Sequence, residues 1–460
     1  MGNAIRSFGN TAVGYQSLKN LDGRSLYSFN TAIGFASQNA ATGNTDPTVS
    51  SLNTSVGGYS MADNVTGKNN VAIGVSALRF NDSSSRNTAV GQNALAYHKR
   101  NGDSYNVAVG TSALERDIIG VWNTAIGAGA MRYATRSTLN SAIGFRTLKL
   151  IMDGGENNTL GVGTMEYKDT ALSCVAIGRF ALSGSSSFNN SPDTGSIAIG
   201  TRAGRFNNAN YNTFIGYESG IGNPANPLGI TGVETVSIGA YSLNKLQSGA
   251  SNSTFGYAAL FNNVSGSKNL AIGGFSLYNV NASGNIGIGY DAGHGVTSGS
   301  NNIFIGNNSG GLLNESDKLF IENTNANKDN ALIYGDFAAD SLSLNAKTVV
   351  RDNAVINGFT KLGGYGTNVP NIKMITITGT TPAVDNFASY PTGIADAKVL
   401  SFSVLVEYAG GWKIPPSYRD AAGYEYNVQF QGGSVLIINK LGNSASIGAK
   451  PFRVLITYEQ

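Results

Sequence analysis

In the first two-thirds of the chain, three-residue bursts of aliphatic and small hydroxyl residues recur, each opened by a residue that is nearly always Asn and closed by Gly. Seventeen such phrases occur, of the form Asn-Thr-Ala-Ile-Gly followed by two free positions, a small residue and often Leu. They start at Asn10 to Gly14 and run through Asn30 to Gly34, Asn70 to Gly74, Asn123 to Gly127 and Asn269 to Gly273, ending with Asn302 to Gly306. The commonest step between closing glycines is 17 residues, as from Gly57 to Gly74 to Gly91. Self-similarity at a fixed period marks a stacked-repeat architecture. A helical repeat needs about 33 residues or more, so the short step predicts one coil of two short strands and two turns.

Each phrase reads as a strand, with its second and fourth positions on one side and its third on the other. The fourth is almost always Ile or Val and the third usually Ala, as at Ala12, Ala72, Ala125 and Ala271. One face therefore carries branched bulk and the other a methyl group. The methyl face, with no large side chain to build a core, is expected to need a partner surface. The invariant Gly is expected where φ is positive or another backbone approaches closely. The leading Asn holds in 14 of the 17 copies, replaced by Cys174, Ser196 and Thr235. Stacked in a column, it can bond from coil to coil; the alternative is a plain turn residue. Seventeen coils at about 4.8 Å each give a shaft of about 80 Å. Longer steps carry polar insertions, such as 41–51 and 183–194, that read as surface loops tolerant of change.

After Gly310 the phrase fades into short apolar doublets, Leu319 to Asn323 and Leu332 to Phe337, consistent with an intertwined neck over 311–369. From about 370 longer alternating strands take over. Leu400, Phe402, Val404, Val406 and Tyr408 share one face, and Tyr424, Tyr426, Val428 and Phe430 another. Gln431-Gly432-Gly433-Ser434 turns the chain, and Phe452, Val454, Ile456 and Tyr458 form the last strand. The fold class expected is all-β: a parallel β-solenoid shaft over 1–310, a neck, and a C-terminal antiparallel β-sandwich over 370–460.

The phrase Asn-Thr-Ala-Ile-Gly-x-x-Ala-Leu resembles the head repeat of trimeric autotransporter adhesins, a left-handed parallel β-roll of three chains around one axis. Those repeats are shorter and more regular, and their chains end in a membrane-anchoring barrel, for which no counterpart is expected here. The longer spacing, the Leu332-Ile333-Tyr334-Gly335-Asp336-Phe337 segment and the small terminal β domain are more similar to tail-fibre proteins of phages that infect Bacteroidetes and of related contractile injection systems. The resemblance covers 10–310 most closely. It implies a homotrimer, an N-terminal end held by a tail or baseplate protein, a host cell-surface receptor, and a place on the outside of a particle. A surface adhesin is the alternative.

Composition narrows the chemistry. Gly makes up 60 of 460 residues and charged residues 13%, about half the usual share. The net charge of +3 and the lack of a basic stripe argue against nucleic acid. No apolar run is long enough for a spanning helix, so no membrane insertion is expected, and with Met1 leading straight into the first repeat no signal peptide is expected. One cysteine, Cys174, and two distant histidines, His98 and His294, in loop-like sequence, suggest no disulfide framework, metal site or cofactor. An ice-binding array would need a regular Thr column, and that slot varies here.

Catalysis by paired carboxylates would fall to Glu218 and Asp291, in equivalent slots four coils apart and so roughly 19 Å from each other. Glycosidases hold theirs about 5–9.5 Å apart. Glu322 and Asp336 sit in the neck, and no Ser-His-Asp set shows usable spacing, so no enzyme is expected. Binding fits better. Trp412, Lys413, Tyr418 and Arg419, in a region that also holds Tyr408, Asp420, Tyr424, Glu425 and Tyr426, combine aromatic faces with charges suited to a glycan. The plainer reading makes the tyrosines strand core. The repeats themselves offer no pocket-like irregularity.

Overall fold

A computed structural model of the chain describes residues 9–19, 28–39, 51–185, 193–223, 226, 228–310, 314–346, 360–361, 371–384, 386–408, 412–416, 423–440, 442 and 444–459. It is all-β, with no α-helix among these residues, and divides into two compact units, 1–348 and 349–460.

The first unit is a parallel β-solenoid. Its sheet has twenty strands, the last two antiparallel, so eighteen stack in parallel. Seventeen are the phrases, in exact like-for-like register: Ala72 opposite Ala89, Ala125 opposite Ala142. The eighteenth, Lys318–Ile321, lies in the segment expected as a neck and continues the same ladder. The second strand of each coil is rarer than expected. It forms only in patches, such as Asp153–Gly155 beside Thr170–Leu172. Elsewhere the chain runs through turns in which leucines adopt left-handed φ, Leu78 at 50° and Leu114 at 49°. Coil-to-coil bonding persists there, as from the Leu78 N–H to the Ala94 carbonyl at 2.9 Å. That bonding and the burial of the leucine offset the cost of the conformation.

The two faces of the phrase are reversed from expectation. The third-position alanines point into the chain's own interior, where Ala72, Ala89, Ala125 and Ala142 are wholly buried with Leu78, Leu95, Leu114 and Leu148. The leucines come from the turn of the same coil, so the methyl face needs no second chain. The interior is narrow, which is why a methyl suits it. Where Phe replaces Ala, at Phe214 and Phe304, the leucine slots beside it become glycine. A Cβ on Gly220 would sit 2.1 Å from the Phe214 ring, and one on Gly310 2.1 Å from Phe304. Core volume is conserved by exchanging a large residue between two slots. The branched fourth position faces outward instead.

Both readings of the glycine are met at once. Gly144 has φ of 141°, and a Cβ there would lie 2.1 Å from the Gly161 carbonyl oxygen. The asparagine column is a ladder: Asn123 Oδ1 accepts the Asn140 backbone N–H at 3.1 Å, and Asn140 Oδ1 accepts that of Asn157 at 3.1 Å. Asn123 Nδ2 also donates to the Ser137 carbonyl at 2.7 Å, tying the strand to the far side of its coil.

The second unit has two antiparallel sheets around one core. The first runs Thr360–Lys361, Asn371–Thr380, Pro451–Glu459, Val399–Tyr408, Trp412–Ile414; the second Phe387–Pro391, Ser434–Asn439, Tyr426–Gln431. Val404, Val406, Phe452, Val454 and Ile456 from one sheet meet Tyr426, Val435 and Ile437 from the other. Leu400 departs from its expected face and is 49% exposed, because the register shifts between Val399 and Ser401 and leaves it as the extra residue of a bulge. Tyr426 is core, its hydroxyl donating to the Ile414 carbonyl at 2.6 Å, and burial pushes its pKa up.

Candidate functional site

Four features of the surface and interior bear on function. The first is the outward aliphatic column. Ile73, Ile126, Ile143, Ile177 and Ile272 are each 38–41% exposed, and their counterparts from Val13 to Ile288 continue the line. The slot before the phrase is mixed: Phe29, Leu52, Trp122, Leu139 and Tyr211 are exposed there, as are Arg86, Glu156, Glu234 and Lys268 in other coils. Identical register stacks the fourth-position side chains directly above one another, so they make a continuous apolar column along the roll.

The second is a pair of depressions on the roll, where none was expected. One, about 370 Å³, is lined by Glu218, Tyr241, Asn244, Tyr257, Phe261, Phe275 and Tyr278. Beside it an aromatic ladder climbs through Tyr217, Tyr241, Tyr257, Phe275 and Tyr290 with centroids 5.3–5.8 Å apart. His294 stacks on Tyr278 at 5.0 Å. The other, about 230 Å³, holds Arg132, Tyr133, Phe145, Arg146 and Lys149. The two slots after each phrase glycine gather these aromatics coil by coil; aligning the repeats on the glycine reveals it.

The third is the C-terminal unit. Lys413 is exposed and pairs with Glu407, lowering that carboxyl below its ordinary range. With Arg453, Thr378 and Leu405 they line a depression of about 330 Å³. Trp412 lies on a strand next to Lys413, but its side chain, like that of Tyr408, falls outside the described residues, as do Tyr418, Arg419 and Asp420 entirely. Glu425 is buried and paired with Lys440.

The fourth is the set of titratable clusters. Glu218 and Asp291 are not brought together: Glu218 bonds Arg202 at 2.7 Å and Asp291 lies 3.0 Å from His294. Glu322 is held below its ordinary value by the Leu332 and Asn323 amides, and Asp336 by Lys318, so neither is raised as a general acid must be. A Ser-His-Asp set does exist, contrary to the sequence expectation. His98 Nε2 is 2.9 Å from Ser104 Oγ and its Nδ1 3.3 Å from Asp117 Oδ2. His98 and Asp117 occupy the same slot, seven residues after Gly91 and Gly110, so stacking superposes them. All three are buried in the roll's interior rather than in a loop, leaving Ser104 no route to a substrate. Cys174, also interior, is pushed up to about 12 by burial and then by Asp193. No group of three metal-ligating side chains and no helix long and apolar enough to cross a membrane occurs among the described residues.

No family model, curated protein or solved structure matches the chain.

Proposed function

We propose that the chain forms the shaft and tip of a homotrimeric tail fibre, carried by a phage or a phage-tail-like particle, that attaches to a host-cell surface. The outward aliphatic column carries this reading. A monomeric soluble protein rarely exposes a continuous apolar face of such length. Two further copies of the same chain around a common axis would cover it with closed symmetry and keep every coil in register with its equivalents. Covering what remains exposed of each aliphatic contributes roughly 1 kcal/mol per coil and copy. Light scattering on the native chain should give three times 47.8 kDa; a stable monomer or dimer overturns the reading.

In this reading the N-terminal end is held by a tail or baseplate protein and the C-terminal unit meets the receptor, a glycan or surface protein, through Trp412, Lys413, Tyr418 and Arg419. The aromatic ladder from Tyr217 to Tyr290 favours a second place for the receptor, since edge-to-face aromatic rings beside Glu218 and Asn244 suit sugar faces and hydroxyls. Binding of labelled full-length protein to a panel of bacterial cells separates the two. Trp412→Ala with Arg419→Ala should abolish binding at unchanged trimer mass. Loss on Tyr257→Ala with Tyr290→Ala instead moves recognition to the roll.

A further inference from the structure

The asparagine ladder is interrupted singly at Thr235 and by two successive substitutions, Cys174 and Ser196, at a long step of the repeat, from Gly178 to Gly200. A buried charged cluster occupies the interior there. Lys168 stands in the interior slot seven residues after Gly161, and its ammonium is wholly buried, as is the Asp193 carboxylate 3.5 Å away. Lys168 Nζ reaches two coils up the roll, bonding the Asn207 carbonyl and lying 3.2 Å from Asn208 Oδ1. Asp193 Oδ2 also accepts from Asn207 Nδ2 at 2.9 Å. The insertion 183–194, expected as a tolerant loop, thus ends in a buried functional group.

An isolated ion pair in such a place is costly, by several kcal/mol for each ion removed from water. Amine and carboxylate are instead held at contact distance in a dry interior, with the half-buried Asn208 carboxamide 3.2 Å from the amine at its margin, and such proximity turns a slow bimolecular reaction into a unimolecular one. We propose that Lys168 and Asn208 join in an intramolecular isopeptide bond, with Asp193 as the proton shuttle. Lys168 Nζ gives a proton to Asp193 and attacks Asn208 Cγ. The Nζ–Cγ bond forms, a second Nζ proton passes to Nδ2, and the Cγ–Nδ2 bond breaks. Ammonia leaves and takes the proton held by Asp193. An alkylammonium and a primary amide become a secondary amide and an ammonium ion, with no oxidant, reductant or co-reactant. The new N–H remains beside Asp193. The bond would staple the coils on either side of the gap in the ladder, where a pulled shaft is weakest.

The test is the denatured mass of the full-length protein. It should fall short of the sequence mass by one ammonia, and a tryptic map should show a branched peptide joining 168 to 208, with no cleavage after Lys168. Lys168→Met should restore the full mass expected for that variant, and Asp193→Asn should leave the protein wholly or largely unjoined. A wild-type mass equal to the sequence mass overturns the proposal. So does ammonia loss mapped to another residue, or loss of water joining 168 to 193.

Discussion

The roll and the C-terminal unit both cover their backbone polar groups with sheet, by opposite means. In the roll, each residue is matched to its own copy above and below: glycine against glycine, alanine against alanine, asparagine handing its oxygen to the next amide. In the C-terminal unit, unlike residues from two sheets interlock around Tyr426. A column transmits a misfit to its neighbours, because every slot is also a wall of the next coil. A two-sheet core confines it to the side chains it touches. Tolerance to substitution should therefore differ between the regions for the same residue type.

The largest effect is expected where the two faces of one phrase are set against each other. Ala125→Glu puts an unpaired charge in the closed interior and should cost about 3–5 kcal/mol, seen as loss of the folded roll by circular dichroism. Ile126→Glu, one residue along but outward, should leave the coil folded and abolish assembly, dropping the scattering mass to 47.8 kDa. Equal unfolding by both variants would break the assignment of faces. Next comes Gly144→Ala, at φ of 141° and with the Gly161 oxygen 2.1 Å from the new methyl, which should cost about 3 kcal/mol in thermal unfolding. Asn123→Ala leaves the Asn140 amide without its acceptor and should cost about 1–3 kcal/mol, read from denaturant midpoints.

The C-terminal unit supplies the smaller effects. Asp396 accepts both turn amides, Gly432 and Gly433, each at 2.8 Å, and these hold its carboxyl below the ordinary value. A carboxylate depressed in the folded state stabilises above its unfolded pKa, about 3.9, and loses that contribution as pH falls through the folded value. The melting temperature of this unit should decline on acidification below about pH 4, and Asp396→Asn should flatten that decline. A slope unchanged by the variant would remove Asp396 as the cause. Gly432→Asn should be the mildest, within about 0.5 kcal/mol, because φ is 58°, nothing lies within 4 Å and asparagine tolerates the left-handed turn. A loss near that of Gly144→Ala would erase the contrast between the regions.

Much of the roll is legible in the sequence because its turns demand particular residues. The glycine and asparagine columns mark strand, register and period, and the alternation places Ala on one side and Ile on the other. Alternation does not say which side is inside. Bulk usually goes inward, but here the interior admits only a methyl from the strand because leucine from the turn fills it, as Leu78 does beside Ala72. The second strand is sparser than the period predicts for a related reason: left-handed leucines leave no propensity signal. Leu400 escaped its pattern through a single bulge. The buried sets, His98 over Asp117 and Lys168 beneath Asn207, are invisible at their sequence separations and plain once the coils are aligned on their glycines. The aromatic ladder was missed for the same reason.

The end of the roll has a consequence for growth. Up to Lys318–Ile321 every strand runs parallel to the last, and such an edge can template another coil, whether from its own chain or from a neighbour's. The chain then doubles back: Ile333–Asp336 and Ser341–Leu344 pair antiparallel, with Lys318 bound to Asp336 at 2.9 Å across the reversal. Antiparallel bonding differs in spacing and slant, so the new edge no longer matches an incoming coil. The reversal is a chain terminator in the polymer sense. It separates an object of defined length from a fibril that lengthens by end-to-end addition.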